Sequence, residues 1–267
     1  MSTYLSDGTA LVTGASSGIG ATYARRLAAR RHDLILVARD RARLENNARQ
    51  LATEFGVTVE VLQADLADPR QRAQVEQRLR ADASISVLVN NAGVGAPEQF
   101  VGTDPDLLQQ MLELNVVAVM RLAAAALPGF KARGKGTLIN IASVLALAPE
   151  LFSGVYSGSK AFVVNFSHSL AKELAGTGVH VQAVLPGATL TEIWARSGRD
   201  PDSLPKEMVM LVDDLVDAAL VGLDRGEQLT IPPLHDESLW QAYQAARLAL
   251  LPKLSTSTPA ARYTRGG

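Results

Sequence analysis

An α/β fold is predicted, with a mostly parallel sheet covered by helices on both faces. Short apolar runs alternate with longer segments of helical spacing along most of the chain. Such alternation implies parallel strands joined by right-handed helical crossovers. The first apolar run also delivers the chain into a glycine-rich turn that opens directly into a helix, Thr13 to Gly20.

The elements follow in order. Thr9–Val12 reads as a strand and Ile19–Arg30 as a helix. Leu34–Ala38 is a strand. Arg41–Phe55 is a helix with Leu44, Ala48 and Leu51 on one face. Val57–Gln63 is a strand, and Pro69–Leu79 is a helix that opens with proline in its first turn. Ile85–Val89 is a strand and Pro105–Ala126 a long helix. Thr137–Ile141 is a strand, Gly154–Leu174 a helix and Val179–Leu185 a strand. Val212–Leu223 is a helix and Gln228–Ile231 a last short strand. Residues 188–210 carry Pro201 and Pro205 without a clean period, as lids and binding loops often do. Asp236–Leu251 reads as a helix with Leu239, Tyr243, Ala246 and Leu250 on one stripe, expected to pack on the core. Residues 252–267 read as a mobile tail. One domain, 1–251, is the expected organisation.

The totals exclude several chemistries. The 267 residues carry a net charge of −1 and no cysteine. No global field favours nucleic acid or an anionic membrane. Disulfides, thiolate catalysis and cysteine-based zinc sites are ruled out. Met1 to Gly8 lacks the basic start and apolar run of a signal peptide. The Gly136–Pro149 run is too short to span a bilayer, and Leu174–Thr191 is broken by glycines and Pro186. A cytoplasmic location without metal is the expectation.

Thr13-Gly14-Ala15-Ser16-Ser17-Gly18-Ile19-Gly20 has the strand–turn–helix setting of a dinucleotide phosphate site. Gly14 permits the tight turn, Gly18 lets backbone approach a pyrophosphate, and Gly20 allows close helix–strand packing. The helix start adds unpaired N–H groups and a positive dipole end. The same residues also match Gly-x-Ser-x-Gly, the nucleophile elbow of an α/β-hydrolase using Ser16, with His235 as a late histidine. Only thirteen residues precede Gly14, too few for the strands and oxyanion loop an elbow requires. Nucleotide choice turns on the end of the second strand. Ala38 occupies its tip, Arg39 follows, and Asp40 lies two residues beyond the tip. An acidic residue at the tip would select NAD. Arg39 can instead pair with a 2′-phosphate through its planar fork. NADP(H) is therefore favoured, with NAD(H) the alternative.

Tyr156 and Lys160 are four apart and share one helix face. A phenol normally ionises near pH ~10, and a neighbouring ammonium is expected to lower that value. Ser143 follows the Thr137–Ile141 strand, where α/β sheets bind ligands. Its hydroxyl could hold an oxygen on which charge builds. Asn115 is polar within an apolar helix; alone it reads as a core asparagine satisfied by backbone.

Taken together, these motifs resemble those of the short-chain dehydrogenase/reductase family in its compact, NADP-preferring form. The resemblance runs from about Thr9 to Ile231 and rests on Thr13–Gly20, Asp65, Asn90-Asn91-Ala92-Gly93, Asn115, Ser143, Tyr156-x-x-x-Lys160 and Pro186-Gly187 with Thr191. It implies a Rossmann-type, doubly wound sheet of seven strands in the order 3-2-1-4-5-6-7. It also implies Tyr156 as acid and base, Lys160 as its electrostatic partner and ribose ligand, Ser143 as orienter of the substrate oxygen, and Asn115 as holder of a relay water. Gly14, Ser16, Ser17, Gly18, Ile19 and Gly20 would surround the phosphates and ribose. Arg39 would meet the 2′-phosphate, Asp65 and Leu66 the adenine, and Asn91, Ala92 and Gly93 the adjacent ribose. Pro186, Gly187, Thr189 and Thr191 would hold the carboxamide. Dimers or tetramers through the two long helices are implied as well. Ser17 stands where many NADP-preferring members have a basic residue.

The implied reaction interconverts a ketone or aldehyde and an alcohol. Leu145, Leu147, Leu151, Phe152, Trp194, Met208 and Met210 favour a fairly apolar substrate. A sensor or interaction module that binds NADP without turnover is the rival reading. Such modules tend to lose the catalytic tyrosine or lysine, and both are present.

Overall fold

A computed structural model describes residues 4–95, 97, 99–190 and 205–264. Two compact units emerge, Met1–Pro233 and Leu234–Gly267. The first holds a seven-stranded, all-parallel sheet in the order β3-β2-β1-β4-β5-β6-β7. Its strands are β1 (Thr9–Thr13), β2 (Asp33–Ala38), β3 (Val59–Gln63), β4 (Ile85–Asn90), β5 (Gly136–Ile141), β6 (Val179–Val184) and β7 (Leu229–Thr230). Its helices are α1 (Gly18–Ala29), α2 (Arg41–Phe55), α3 (Pro69–Ala81), α4 (Pro105–Leu112), α5 (Val119–Arg133), α6 (Gly154–Glu173) and α7 (Val212–Asp224). The order reverses between β1 and β4, and ligands of open α/β sheets bind outside the strand ends at such a switch.

Alternation along the strands divides the core in two, because successive side chains point to opposite faces. Ile35, Leu11, Leu88, Leu138 and Val181 stand side by side across five strands. They pack against Val75 and Leu79 of α3, Leu122 and Phe130 of α5, and Ala171 of α6. The neighbouring row of Leu36, Val12, Val89 and Ile139 faces α1, α2 and α7 through Tyr23, Leu27, Leu44 and Ala219. Both faces are thus buried, which is why the strands read as apolar runs rather than as alternation.

The sequence boundaries hold to within a residue or two for most elements. One helix differs. The segment expected to end at Ala126 continues through Pro128 to Arg133 and stops at Gly134, whose φ of 65° is left-handed. Leu127 and Phe130 are buried around the proline, and their burial offsets the lost backbone bond and the ring clash. Between α4 and α5, Glu113–Ala118 forms a π-helical turn. The whole span Pro105–Arg133 is long and apolar enough to cross a membrane, yet half of its most apolar window is buried. Packing on the sheet accounts for the buried half.

In the second unit, α8 (Glu237–Leu250) is capped by Asp236, whose carboxylate accepts from the Ser238 N–H at 2.9 Å. None of its residues is buried.

Candidate active site

The glycine-rich turn lies at the end of β1. Gly14 and Gly18 take φ values of 65° and 55°, left-handed positions that glycine occupies without strain. Gly20 is required for another reason. A Cβ there would fall 2.3 Å from the Gly14 carbonyl oxygen and 2.4 Å from the Asn91 side-chain nitrogen. The turn is sewn to β4 through Thr13. Its hydroxyl donates to the Val89 carbonyl (3.2 Å) and accepts from the N–H groups of Asn91 (2.9 Å) and Ala92 (3.0 Å). The Asn91 amide returns a bond to the Thr13 carbonyl at 2.8 Å. Ser17 caps α1 in an extended conformation with no side-chain capping bond. Ile19 packs against the core.

At the tip of β2, the Arg39 side chain is 64% exposed, with Nη1 3.9 Å from Asp65 Oδ2. Asp40 caps α2 and accepts from the Arg43 N–H at 3.0 Å. Leu66 is buried beside Asp65.

Beyond β4, β5 and β6 the remaining residues converge. Gly93 lies beside both Asn115 and Lys160: a Cβ on it would sit 3.2 Å from Asn115 Oδ1 and 3.5 Å from Lys160 Nζ. Lys160 is buried, and its ammonium donates to the Ile141 carbonyl at 3.1 Å. Its Nζ stands over the Tyr156 ring, 5.8 Å from the centroid. The Ser143 hydroxyl lies near enough to the Tyr156 phenol to favour its ionised form. The same Ser143 Oγ accepts from the Leu145 N–H at 3.1 Å, leaving its proton to point elsewhere. Tyr156 packs against Leu108 and Met111, with Phe152 edge-on at 5.7 Å. Pro186 ties the end of β6 to this loop, its carbonyl accepting from the Val144 N–H at 2.9 Å. Gly187 accepts from the Thr189 hydroxyl at 3.0 Å, and Thr189 bridges to Met210. Thr191 and Trp194 lie outside the described residues.

The family model described as short chain dehydrogenase matches residues 8–202. The chain belongs to the short-chain dehydrogenase/reductase family. It is 36% identical over 192 residues to the very-long-chain 3-oxoacyl-CoA reductase of Anas platyrhynchos, covering 69% of this chain and 60% of that protein. The chain thus spans about three fifths of the length of the curated relatives it matches. Among solved structures, a short-chain dehydrogenase from Sphingobium yanoikuyae in complex with NADPH is 51% identical with a TM-score of 0.94, over 96% of this chain and 100% of that one. The bulky-bulky ketone specific alcohol dehydrogenase from Comamonas testosteroni is 46% identical with a TM-score of 0.89, over 97% and 99%. The family assignment replaces the hydrolase reading of Ser16.

One expectation about the site needs correction. The lysine was expected to lower the tyrosine's pKa. Burial instead pushes the Tyr156 phenol up to about 12, opposed only by the neighbouring Ser143 hydroxyl. Burial likewise pulls Lys160 down to about 8. The ammonium spends itself on the Ile141 carbonyl and faces the ring, so the phenol gains little from it. Asn115 is satisfied by backbone, as the residue taken alone suggested. Its Oδ1 accepts from the Val94 N–H (3.0 Å) and its Nδ2 donates to the Val94 carbonyl (2.9 Å).

Sequence reasoning missed residues that hold others in place. Asn90 donates to the Asn140 side chain at 3.0 Å, and Asn140 to Ser167 at 2.9 Å, fastening β4, β5 and α6 behind the site. Asn47 of α2 donates to the carbonyls of Ala15 (3.0 Å) and Ser16 (3.3 Å). A polar residue at the margin of the Leu44–Ala48–Leu51 face was the available signal.

Proposed function

We propose that this chain is an NADP-dependent oxidoreductase that interconverts a fairly apolar ketone or aldehyde and its alcohol, with Tyr156 as acid and base. The observation that carries the reading is the convergence of Tyr156, Ser143 and Lys160 beside Gly93, at the end of the strands where the sheet order reverses.

The residues fit a dinucleotide. The turn's glycines leave a cradle without Cβ atoms, and the first N–H groups of α1 have no intrahelical partners there. Gly14, Ser16, Ser17, Gly18, Ile19 and Gly20 would hold the phosphates. Asp65 and Leu66 would flank the adenine, with Asn91, Ala92 and Gly93 along the ribose and Pro186, Gly187 and Thr189 at the carboxamide. What supports the 2′-phosphate reading is that Asp40, the acidic group that could favour NAD, is engaged as a helix cap, while Arg39 extends from the strand tip. The NADPH complex of the Sphingobium relative points the same way.

When bound, the nicotinamide supplies or accepts the hydride. In reduction, Tyr156 Oη gives its proton to the carbonyl oxygen as the carbon is reduced, so a neutral alcohol leaves. The Ser143 O–H donates to the same oxygen and disperses its developing charge. Lys160, beneath the ring, is the nearest ammonium from which the phenolate can be reprotonated, and a water held at the π-turn near Asn115 would connect it to solvent. Leu151 and Met208 are exposed on the segments that follow β5 and β6, and Phe152 lies against Tyr156. That lining supports an apolar substrate. The half-exposed Leu107 and Met120 on α4–α5 support a homodimer or homotetramer through those helices.

Tyr156→Phe keeps the ring and removes the proton donor. Turnover of a ketone, followed as NADPH consumption, should fall by about 10²–10⁴-fold. The NADPH dissociation constant should stay near wild type. Wild-type turnover in this variant would sink the acid–base assignment.

A further inference from the structure

The geometry points to Asn47 as a positioning residue for nucleotide binding, which shapes the phosphate turn from the neighbouring helix; this rests on the function proposed above. Its Nδ2 takes two successive carbonyls of the turn, Ala15 at 3.0 Å and Ser16 at 3.3 Å. In a trans peptide the C=O and the following N–H point in opposite directions. Holding both carbonyls toward α2 therefore turns the N–H groups of Ser16 and Ser17 together toward the other side. Two successive N–H groups aimed one way make a concavity that favours an anion. Neither Ser16 nor Ser17 needs to supply a charge for this to work.

Asn47 also couples this turn to the corner that reads the nucleotide. Helix α2 begins at its Asp40 cap, immediately after Arg39. Asn47 stands two turns further along the same helix, and its two bonds tie the helix to the turn. On the other side, the Ala15 N–H donates to the Val37 carbonyl of β2 at 3.2 Å. The turn is thus held by strand and helix on either side of Arg39, and the distance from its anion-facing N–H groups to Arg39 is set by Asn47.

The test measures NADPH and NADH dissociation constants, kcat and KM with a turned-over ketone, and Tm, in the full-length wild type, Asn47→Ala and Asn47→Asp. Asn47→Ala should weaken NADPH by about tenfold, the worth of a hydrogen bond to backbone, with kcat at saturating NADPH within about twofold of wild type. Asn47→Asp has nearly the same shape, donates no bond when ionised and sets a carboxylate against two carbonyl oxygens. It should weaken NADPH further, and NADPH more than NADH because NADPH carries the additional phosphate charge. Wild-type dissociation constants in both variants, or losses confined to kcat and Tm, would overturn the proposal. A wild type that binds neither nucleotide overturns the underlying function as well, and that result is read before any variant is made.

Discussion

Lys160 is folded at a cost. Its ammonium is buried with the Ile141 carbonyl as its hydrogen-bond acceptor, and its pKa falls to about 8 from an ordinary value near 10.5. Between those two values the unfolded chain binds more protons than the folded one, so this residue's contribution to stability rises with pH across the window. Below pH 8 the full penalty is present, on the order of 3 kcal/mol. Lys160→Met removes the charge and fills similar volume. Thermal unfolding at pH 7 should place its Tm at or above wild type, while turnover collapses. The difference in Tm should shrink as pH rises from 8 to 10. A variant less stable than wild type at pH 7 would mean that the bond to Ile141 outweighs the buried charge. Tyr156, Ser143 and Lys160 were legible in the sequence because their spacing places them on one helix and one strand end. The direction of their electrostatics was not, because it depends on burial and on Ile141, a backbone acceptor without a sequence signature. Asn47 escaped for the same reason: its partners are carbonyls.

The α4–α5 helix shows how an element is bent to a purpose. Its π-turn, Glu113–Ala118, adds a residue to one turn, an arrangement that often marks functional sites. Asn115 uses that turn to reach the chain leaving β4, pairing with both the N–H and the C=O of Val94. Val94 and Tyr156 both pack against Leu108 and Met111, so the asparagine steadies one side of that cluster. Asn115→Ala would leave both backbone groups of Val94 without these partners. A loss of about 2–3 kcal/mol is expected, which is a Tm drop of roughly 5–10 °C for a unit of this size. Calorimetry checks it, and an unchanged Tm would show that water replaces the clamp at no cost. From sequence, this helix was foreseen as far as Ala126, because proline ordinarily ends a helix. The continuation depends on the burial of Leu127 and Phe130 against a sheet that local propensity does not see. The π-turn, too, leaves no pattern in apolar spacing.

At the scale of the whole molecule, periodicity alone made a parallel sheet with two covered faces legible, whereas the strand order followed from the family resemblance. The difference is physical. Apolar spacing records which face of an element is buried, but the neighbour of a strand is chosen by contacts distant in sequence, such as Leu11 with both Ile35 and Leu88. The same contacts define what can stand alone. All seven strands, both core clusters and every described candidate site residue fall within Met1–Pro233. The edge strand β7 closes at Thr230, inside that boundary. It pairs with β6 through Ala183 and Val184, inside the same boundary. A chain ending at Pro233 should therefore unfold in one cooperative transition and bind NADPH with an affinity near that of the full chain. Calorimetry and fluorescence titration of the two chains side by side give the comparison. A shortened chain that binds NADPH poorly, or melts without a cooperative transition, would show that residues 234–267 complete the fold rather than follow it.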